Sequence, residues 1–335
     1  MKKTRILAIE SSCDETAVAI VEDGKELLSN IVSSQINVHS KFGGVIPEVA
    51  SRIHVENITV VLDEALRKAG LTMEEIDAIA VTHGPGLVGS LHIGIQAAKA
   101  LAWYYGKPLV PVHHIAGHIY ANRFADDLKY PLLALVVSGG HTELVYLKSE
   151  YSFEILGTTQ DDAIGEAYDK VARVLGLPYP GGPAIDQLAK NGVKHYRLPK
   201  VKTENDLDFS FSGLKSAVLQ LVSKQTKIKE DIIPEDLAYA FQEAALGELI
   251  QKAKAALTRF DVKHFVLAGG VAANSRLREK VNLLKDDFPG LTVTIPPMWC
   301  CTDNAAMIAM AGTLAYRAGL HADLSLSADP GLELA

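Results

Sequence analysis

The chain has 335 residues, of which 48% are apolar and 22% charged, with a formal net charge of −7 at pH 7; this is the profile of a globular protein large enough for two domains. No apolar run approaches the roughly 20 residues that cross a bilayer, and the basic start is followed by an apolar stretch, residues 6–9, too short for the core of a signal peptide. Cys13, Cys300 and Cys301 form neither a disulfide framework nor a C-x-x-C metal site, which places the protein in a reducing cytosol, and the acidic balance excludes a surface that grips nucleic acid everywhere.

In chain order, residues 6–35 read as an apolar strand, a small polar turn, a second strand opened by Thr16, a polar turn at 22–25 and a third strand ending near Gln35. Residues 133–160 repeat this: strand, Ser-Gly-Gly-His turn, Thr142, polar turn at 148–151, and a third strand ending near Gln160. Two matched triple-strand units imply two similar domains facing one another. After the first unit come a helix over 49–69 ending at Gly70, a strand over 76–81 and a long apolar helix over 89–102. After the second come a helix over 163–175 closed by Gly176, a helix over 237–259, a strand over 265–268 and a helix over 275–284. A last helix begins at Thr302-Asp303-Asn304 and runs to Tyr316. Strands alternating with helices predict an α/β protein with mixed or parallel sheets covered on both faces and a ligand cleft between the halves.

His114 and His118 stand four apart in His-Ile-Ala-Gly-His, so a helix puts both imidazoles on one face, as a metal site requires. The zinc-protease helix H-E-x-x-H carries its base beside the first histidine; here that residue is Ile115, which counts against the protease route. A carboxylate commonly completes such a pair. Asp303 is the best candidate, although Asp at a helix start also serves as an N-cap. Two histidines, one carboxylate and open positions suit iron(II) as well as zinc, with His113 and His141 in reserve. Three glycine turns fall in the second half: Ser138-Gly139-Gly140-His141-Thr142, Gly181-Gly182-Pro183 and Gly269-Gly270. Exposed amides in such turns, and helix starts behind them, bind phosphate. Asp169 and Asp186 suit ribose hydroxyls, with solvated helix carboxylates as the plainer reading. There is no P-loop and no Rossmann fingerprint. Lys194, Arg197, Lys200 and Lys202, then Lys224, Lys227 and Lys229, then Arg276, Arg278 and Lys280 are either solvated faces or a local basic surface.

Ile9-Glu-Ser-Ser-Cys-Asp-Glu-Thr16, Phe42-Gly-Gly-Val-Ile-Pro-Glu-Val-Ala-Ser-Arg52 and Gly84-Pro-Gly-Leu-Val-Gly-Ser90 precede His114-Ile-Ala-Gly-His118 and Val137-Ser-Gly-Gly-His141. Phe209-Ser-Phe-Ser-Gly-Leu-Lys215, Gly269-Gly-Val-Ala-Ala-Asn274 and Asp303-Asn-Ala-Ala306 follow. In this order the motifs resemble, over nearly the whole chain, the bacterial TsaD family, tRNA threonylcarbamoyladenosine transferases once described as sialoglycoprotein endopeptidases. The resemblance implies the duplicated fold of the actin, sugar-kinase and heat-shock ATPase (ASKHA) class. It divides the chain into residues 1–128 with a returning helix over 303–325, and residues 129–302 with the nucleotide loops. It also implies transfer of the threonylcarbamoyl group of threonylcarbamoyl-AMP to the exocyclic amine of the adenosine just 3′ of the anticodon (position 37), in tRNAs reading codons that begin with A.

By the same resemblance His114, His118 and Asp303 are metal ligands, for Fe(2+) first and Zn(2+) second. Val137, Ser138, Gly139, Gly140, His141, Asp169, Gly182, Asp186 and Asn274 contact the adenine nucleotide, which is threonylcarbamoyl-AMP or ATP, ADP or AMP. Implied partners are tRNA, an inactive paralogue (TsaB), a small ATPase (TsaE) and the synthase that supplies threonylcarbamoyl-AMP. A homodimer is a further expectation, a membrane is not, and the location is cytoplasmic. Glu10 and Asp14, in the first turn, are expected to face the cleft and orient or deprotonate the amine. A phosphotransferase of the same fold, a metalloprotease and a non-catalytic nucleotide-binding scaffold are the rival readings.

Overall fold

An unbroken run of apolar residues needs cover on both faces if it is a strand, and the first strand meets that condition at the centre of a sheet. In the computed structural model β1 (Arg5–Glu10), β2 (Glu15–Glu22) and β3 (Glu26–Ser34) form an antiparallel meander. On the other side of β1, β4 (Ala78–Gly84) and β5 (Leu109–His113) pair in parallel, giving the order β3-β2-β1-β4-β5. The structure describes residues 3–200, 203–229 and 231–334, so Lys202 lies outside the described residues. Residues 6–9 are wholly buried. Four helices follow in this half: α1 (Ile36–His39), α2 (Pro47–Ala69), α3 (Val88–Tyr105) and α4 (His114–Tyr120). Leu7, Ile9, Ile79 and Val81 cluster with Ile58 and Val61 of α2 and Leu91 and Ile95 of α3. The alternate residues Ile6 and Ala80, with Val112, lie beneath Gly312 of the last helix, α11 (Ala305–Arg317).

That helix is apolar all round and buried from Ala305 to Ala315, as a helix between a sheet and further chain must be. A Cβ at Gly312 would come within 2.5 Å of Ala80 Cβ, so the glycine sets how closely α11 lies on the sheet. Gly312→Val is therefore expected to destabilise by roughly 2–3 kcal/mol through overpacking. A urea melt within 0.5 kcal/mol of wild type would contradict this contact.

The second half repeats the topology. The strands β6 (Leu132–Val137), β7 (Thr142–Leu147) and β8 (Phe153–Thr158) form the meander, and β9 (His264–Ala268) and β10 (Thr292–Thr294) add in parallel, in the order β10-β9-β6-β7-β8. The triple-strand repeat is thus a repeat of whole sheets. The helices of this half are α5 (Ile164–Val174), α6 (Gly181–Ala189), α7 (Ser212–Ile228), α8 (Pro234–Arg259), α9 (Ser275–Asn282) and α10 (Leu284–Asp287).

Two expectations are corrected. The helix over 275–284 is interrupted at Leu283 and resumes as α10. The pair Gly181-Gly182 does not precede a helix but forms its first turn, because Asp169 Oδ1 accepts from Gly181 N at 2.7 Å. There is no room for a side chain there: a Cβ at Gly181 would meet Ala172 Cβ at 2.5 Å.

By contacts the chain divides into two compact units, Met1–Asp127 with Pro297–Leu334, and Leu128–Pro296. Among the described residues no helix is long and apolar enough to cross a membrane.

Candidate functional site

In the first unit, parallel pairing brings the carboxyl ends of β1, β4 and β5 to one edge, the edge where such sheets place ligands. These ends carry Glu10, Thr82 and, just past β5, His114. Glu10 has no exposed surface. Its Oε2 accepts from Thr82 Oγ1 at 2.6 Å and from His114 Nδ1 at 3.1 Å, and its Oε1 accepts from Ser12 N at 2.6 Å. Ser12 Oγ lies 3.2 Å from the same imidazole nitrogen. With Nδ1 anchored, His114 turns Nε2 toward Asp303 Oδ1, 3.5 Å away; His118 Nε2 is 3.1 Å from the same oxygen. The two rings meet edge to face with centroids 4.8 Å apart. His113 caps α4 by accepting from Ile115 N at 3.1 Å, which takes it out of the donor set.

The three donor atoms lie within 4.8 Å of one another. Neighbouring donors about 2.1 Å from one ion are separated by about 3.0 Å at right angles and about 3.4 Å at the tetrahedral angle, so the two spacings to Asp303 suit a divalent ion. Two imidazoles with one carboxylate are a donor set for iron(II) or zinc. The Glu10–His114 contact is the carboxylate support that metal-bound imidazoles commonly have.

Burial opposes charge on His114, but Glu10 and Asp303 override it and push its pKa up to about 9. Burial likewise works against the Glu10 carboxylate, yet His114 holds it below its ordinary range. Glu15 is pushed up to about 10, first by burial and then by Asp303 and Asp14. Asp303 raises the pKa of both His114 and Glu15, so its carboxylate sets a field that favours a cation or a proton at this place.

Asp303 is not the N-cap of α11. Asn304 is: its Oδ1 accepts from Met307 N at 3.1 Å, leaving the half-buried Asp303 carboxylate for the histidines. Gly117 lets α4 lie on α11, since a Cβ there would meet Ile308 Cδ1 at 2.7 Å. Glu10 is enclosed and already accepts from three groups, so its carboxylate is engaged within the first unit. Asp14 is also nearly enclosed, at 9% exposure. Glu10's role was missed in the sequence; its one signal is a carboxylate closing the apolar run of residues 6–9.

In the second unit β6 and β9 run parallel as neighbours, and their carboxyl ends carry two of the glycine turns. Val137 is buried and offers only backbone. The turn after it is closed by Ser138 N donating to His141 O at 2.8 Å and His141 N donating to Ser138 Oγ at 3.0 Å. Gly139, Gly140, Gly182 and Gly270 have open space where a Cβ would stand, so their backbone is approachable. Gly269 differs: at φ +91° its Cβ would come within 2.4 Å of Val137 O, and this close approach joins the two turns.

Asp186 accepts from Ser275 N at 3.0 Å and Ser275 Oγ at 3.1 Å. Asn274 caps α9 by accepting from Leu277 N at 2.8 Å. Asp169 is engaged with Gly181, and burial raises its pKa. Each of the three thus holds a helix start. Gln242, missed in the sequence, accepts from Asn274 Nδ2 at 2.9 Å and Tyr168 OH at 3.3 Å. Its signal is a polar residue at buried helix spacing with Ala238, Ala245 and Leu249.

The family model for tRNA N6-adenosine threonylcarbamoyltransferase (TsaD) matches residues 26–310. The tRNA N6-adenosine threonylcarbamoyltransferase of Bacillus subtilis (strain 168) is 57% identical over 334 residues, covering 99% of this chain and 96% of that one. Its namesake in Geobacillus thermodenitrificans (strain NG80-2) is 55% identical over 330 residues, covering 98% and 96%. Among solved structures, HypF of T. kodakarensis aligns at TM-score 0.63 and 15% identity, over 95% of this chain and 48% of that one. Component A of the Acidaminococcus fermentans (R)-2-hydroxyglutaryl-CoA dehydratase aligns at 0.55 and 15%, over 95% and 100%. These two likenesses show the fold alone, the duplicated two-sheet fold of the ASKHA class.

Proposed function

Because the chain belongs to the TsaD family and is itself a tRNA N6-adenosine threonylcarbamoyltransferase, we propose that it moves a threonylcarbamoyl group from threonylcarbamoyl-AMP to the adenosine just 3′ of the anticodon in tRNAs reading codons that begin with A. The observation that carries the metal-assisted form of this reading is the meeting of His114 and His118 on one Asp303 oxygen, 3.5 Å and 3.1 Å from their Nε2 atoms. A divalent ion there, iron(II) or zinc, supplies Lewis-acid polarisation of a carbonyl when bound. Ile115, buried where a zinc protease keeps its glutamate base, speaks against water activation.

The exocyclic amine of adenosine attacks the carbamoyl carbon. A carbon–nitrogen bond forms, the bond from that carbon to the phosphate oxygen breaks, AMP leaves and the amine loses a proton. An amine conjugated to a purine is a weak nucleophile, so rate must come from positioning and from stabilising oxygen charge. The amides at Ser138, Gly139, Gly140 and His141, with Gly182, hold the phosphate in this reading, and Asp169, Asp186 and Asn274 hold the nucleoside. Glu10 positions His114; Asp14 is the remaining candidate for orienting the amine. The protein works in the cytosol, with the paralogue TsaB, the ATPase TsaE and a threonylcarbamoyl-AMP synthase as partners. The test combines the protein with these partners, threonine, bicarbonate, ATP and unmodified tRNA, followed by mass spectrometry of the nucleosides. Threonylcarbamoyladenosine at the one position supports the reading, and its absence with competent partners sinks it.

Metal loading carries a pH signature. His114, with its pKa raised to about 9, is protonated at pH 7 in the metal-free protein, so a proton competes with the ion. Affinity should rise with pH and level off above about 9, and loading at pH 7 should release about one proton. Calorimetric titration of the metal in two buffers of different ionisation enthalpy measures this; identical heats would contradict the Glu10–His114 pair.

A further inference from the structure

The second unit has a groove lined by none of the residues assigned above to the metal or nucleotide sites. Its walls are the extended segment 190–200 and α7: Arg197, Leu198 and Pro199 face Gln220, Lys224 and Ile228 across it, and Lys227 extends the α7 wall. Neither wall carries an acid of its own, and the one carboxylate on the segment comes from α8, where Asp236 accepts from Val193 N at 2.8 Å and pairs with His195 Nδ1 at 3.2 Å. No Asp or Glu occurs between Asp186 and Glu204, nor between Asp208 and Glu230, in a chain whose net charge is −7.

Several bases elsewhere in the second unit are neutralised, although Lys129, Lys263 and Lys285 have no ion pair among the described residues. Lys170 and Lys215 pair with Asp162, Arg276 and Lys280 with Glu243, Lys252 with Glu248, and Lys254 with Asp287. Lys194, Arg197, Lys200, Lys224, Lys227 and Lys229, in contrast, have no ion pair among the described residues. A helix dipole accounts for lysines in the last turns of α7, but not for Lys194, Arg197 and Lys200, which sit on the facing segment. Lys224 and Lys227 are about 4.5 Å apart along the helix axis, close enough to serve adjacent phosphates of one strand. Just before Arg197 in the chain the exposed ring of His195 stacks on Tyr196, with centroids 4.5 Å apart and planes 3° from parallel, a flat face of the sort that bases and riboses pack on.

We infer that this groove is a docking surface for the sugar-phosphate backbone of tRNA, an inference that rests on tRNA being the acceptor. Arg197, Lys224 and Lys227 each neutralise a phosphate, and Leu198, Pro199 and Ile228 lie along the sugars. An acidic protein partner is the competing occupant. The acid-free length of both walls favours a continuous polyanion, because counterion release rewards every base along such a surface.

The test uses the full-length, metal-loaded protein and an unmodified tRNA transcript, with binding read by fluorescence anisotropy from about 20 mM salt upward. In the triple variant Arg197→Gln, Lys224→Gln, Lys227→Gln, the slope of log K against log salt should fall in magnitude by about two to three units. Affinity near 0.15 M salt should weaken by on the order of tenfold or more, with metal content and thermal midpoint unchanged. Unchanged slope and affinity would overturn the inference. So would unchanged tRNA binding in a variant that loses a protein partner, or a wild type that does not bind tRNA at the lowest salt. If the triple variant weakens tRNA binding but the wild type makes no threonylcarbamoyladenosine, the docking surface stands and the transfer reading fails.

Discussion

Asp303→Asn is expected to strip the protein of bound divalent metal and to lower single-turnover transfer by roughly a thousandfold, since Lewis-acid polarisation supplies several kcal/mol and each 1.36 kcal/mol is tenfold. The substitution keeps the shape of the side chain and removes the charge on the oxygen shared by both histidines, 3.5 Å from His114 Nε2 and 3.1 Å from His118 Nε2. It should leave the fold intact because the start of α11 is secured by the neighbouring Asn304. In the metal-free protein it also relieves Glu15, whose pKa is raised to about 10 by burial first and then by Asp303. Metal analysis, a thermal melt and a single-turnover assay on the same preparation separate the alternatives. Full activity in a variant without metal would remove the ion from the mechanism. A variant that unfolds would show instead that Asp303 is structural.

Gly269→Ala is expected to have the largest effect on stability in the second unit, about 3–5 kcal/mol. Part is the cost of a side chain at positive φ, on the order of 1–2 kcal/mol, and the rest is collision with backbone that cannot swing aside. The atom it meets, Val137 O at 2.4 Å, opens the turn of Gly139 and Gly140, so adenylate affinity should fall with stability. Gly270→Ala is the matched control: no atom lies within 4 Å of its Cβ, and its melt should stay within about 0.5 kcal/mol of wild type, as for other open positions. Chemical denaturation and nucleotide titration of both variants measure the difference. If Gly269→Ala melts like Gly270→Ala, the two turns are not joined as described.

Much of this was legible in local sequence. The spacing of His114 and His118 depends only on helix periodicity, and the helix that carries them is where it was expected. The repeated strand units were readable because each meander is built from near neighbours in the chain. What escaped depended on distant pairing. Glu10 reads as a turn carboxylate until β1 is known to lie beside β4, and β4 beside β5, which sets Thr82 and His114 against it. Asp303 and Asn304 are equally good caps by residue type; only the backbone at Asn304, φ −158° and ψ 155°, assigns the cap. Gln242 has no local motif at all, and its partners Tyr168 and Asn274 come from two other helices.

The order in which the chain is made gives the completion of the first unit by α11 a further meaning. Residues 1–127 emerge from the ribosome with one face of their sheet, Ile6, Ala80 and Val112 included, still waiting for the helix that covers it. His114 and His118 wait too, because Asp303 follows His118 by 185 residues. A nascent or truncated chain therefore exposes apolar sheet to chaperones and proteases and lacks one of the three donors of the proposed metal site. In the metal-assisted reading, loading waits until the segment that carries Asp303 and α11 has been made.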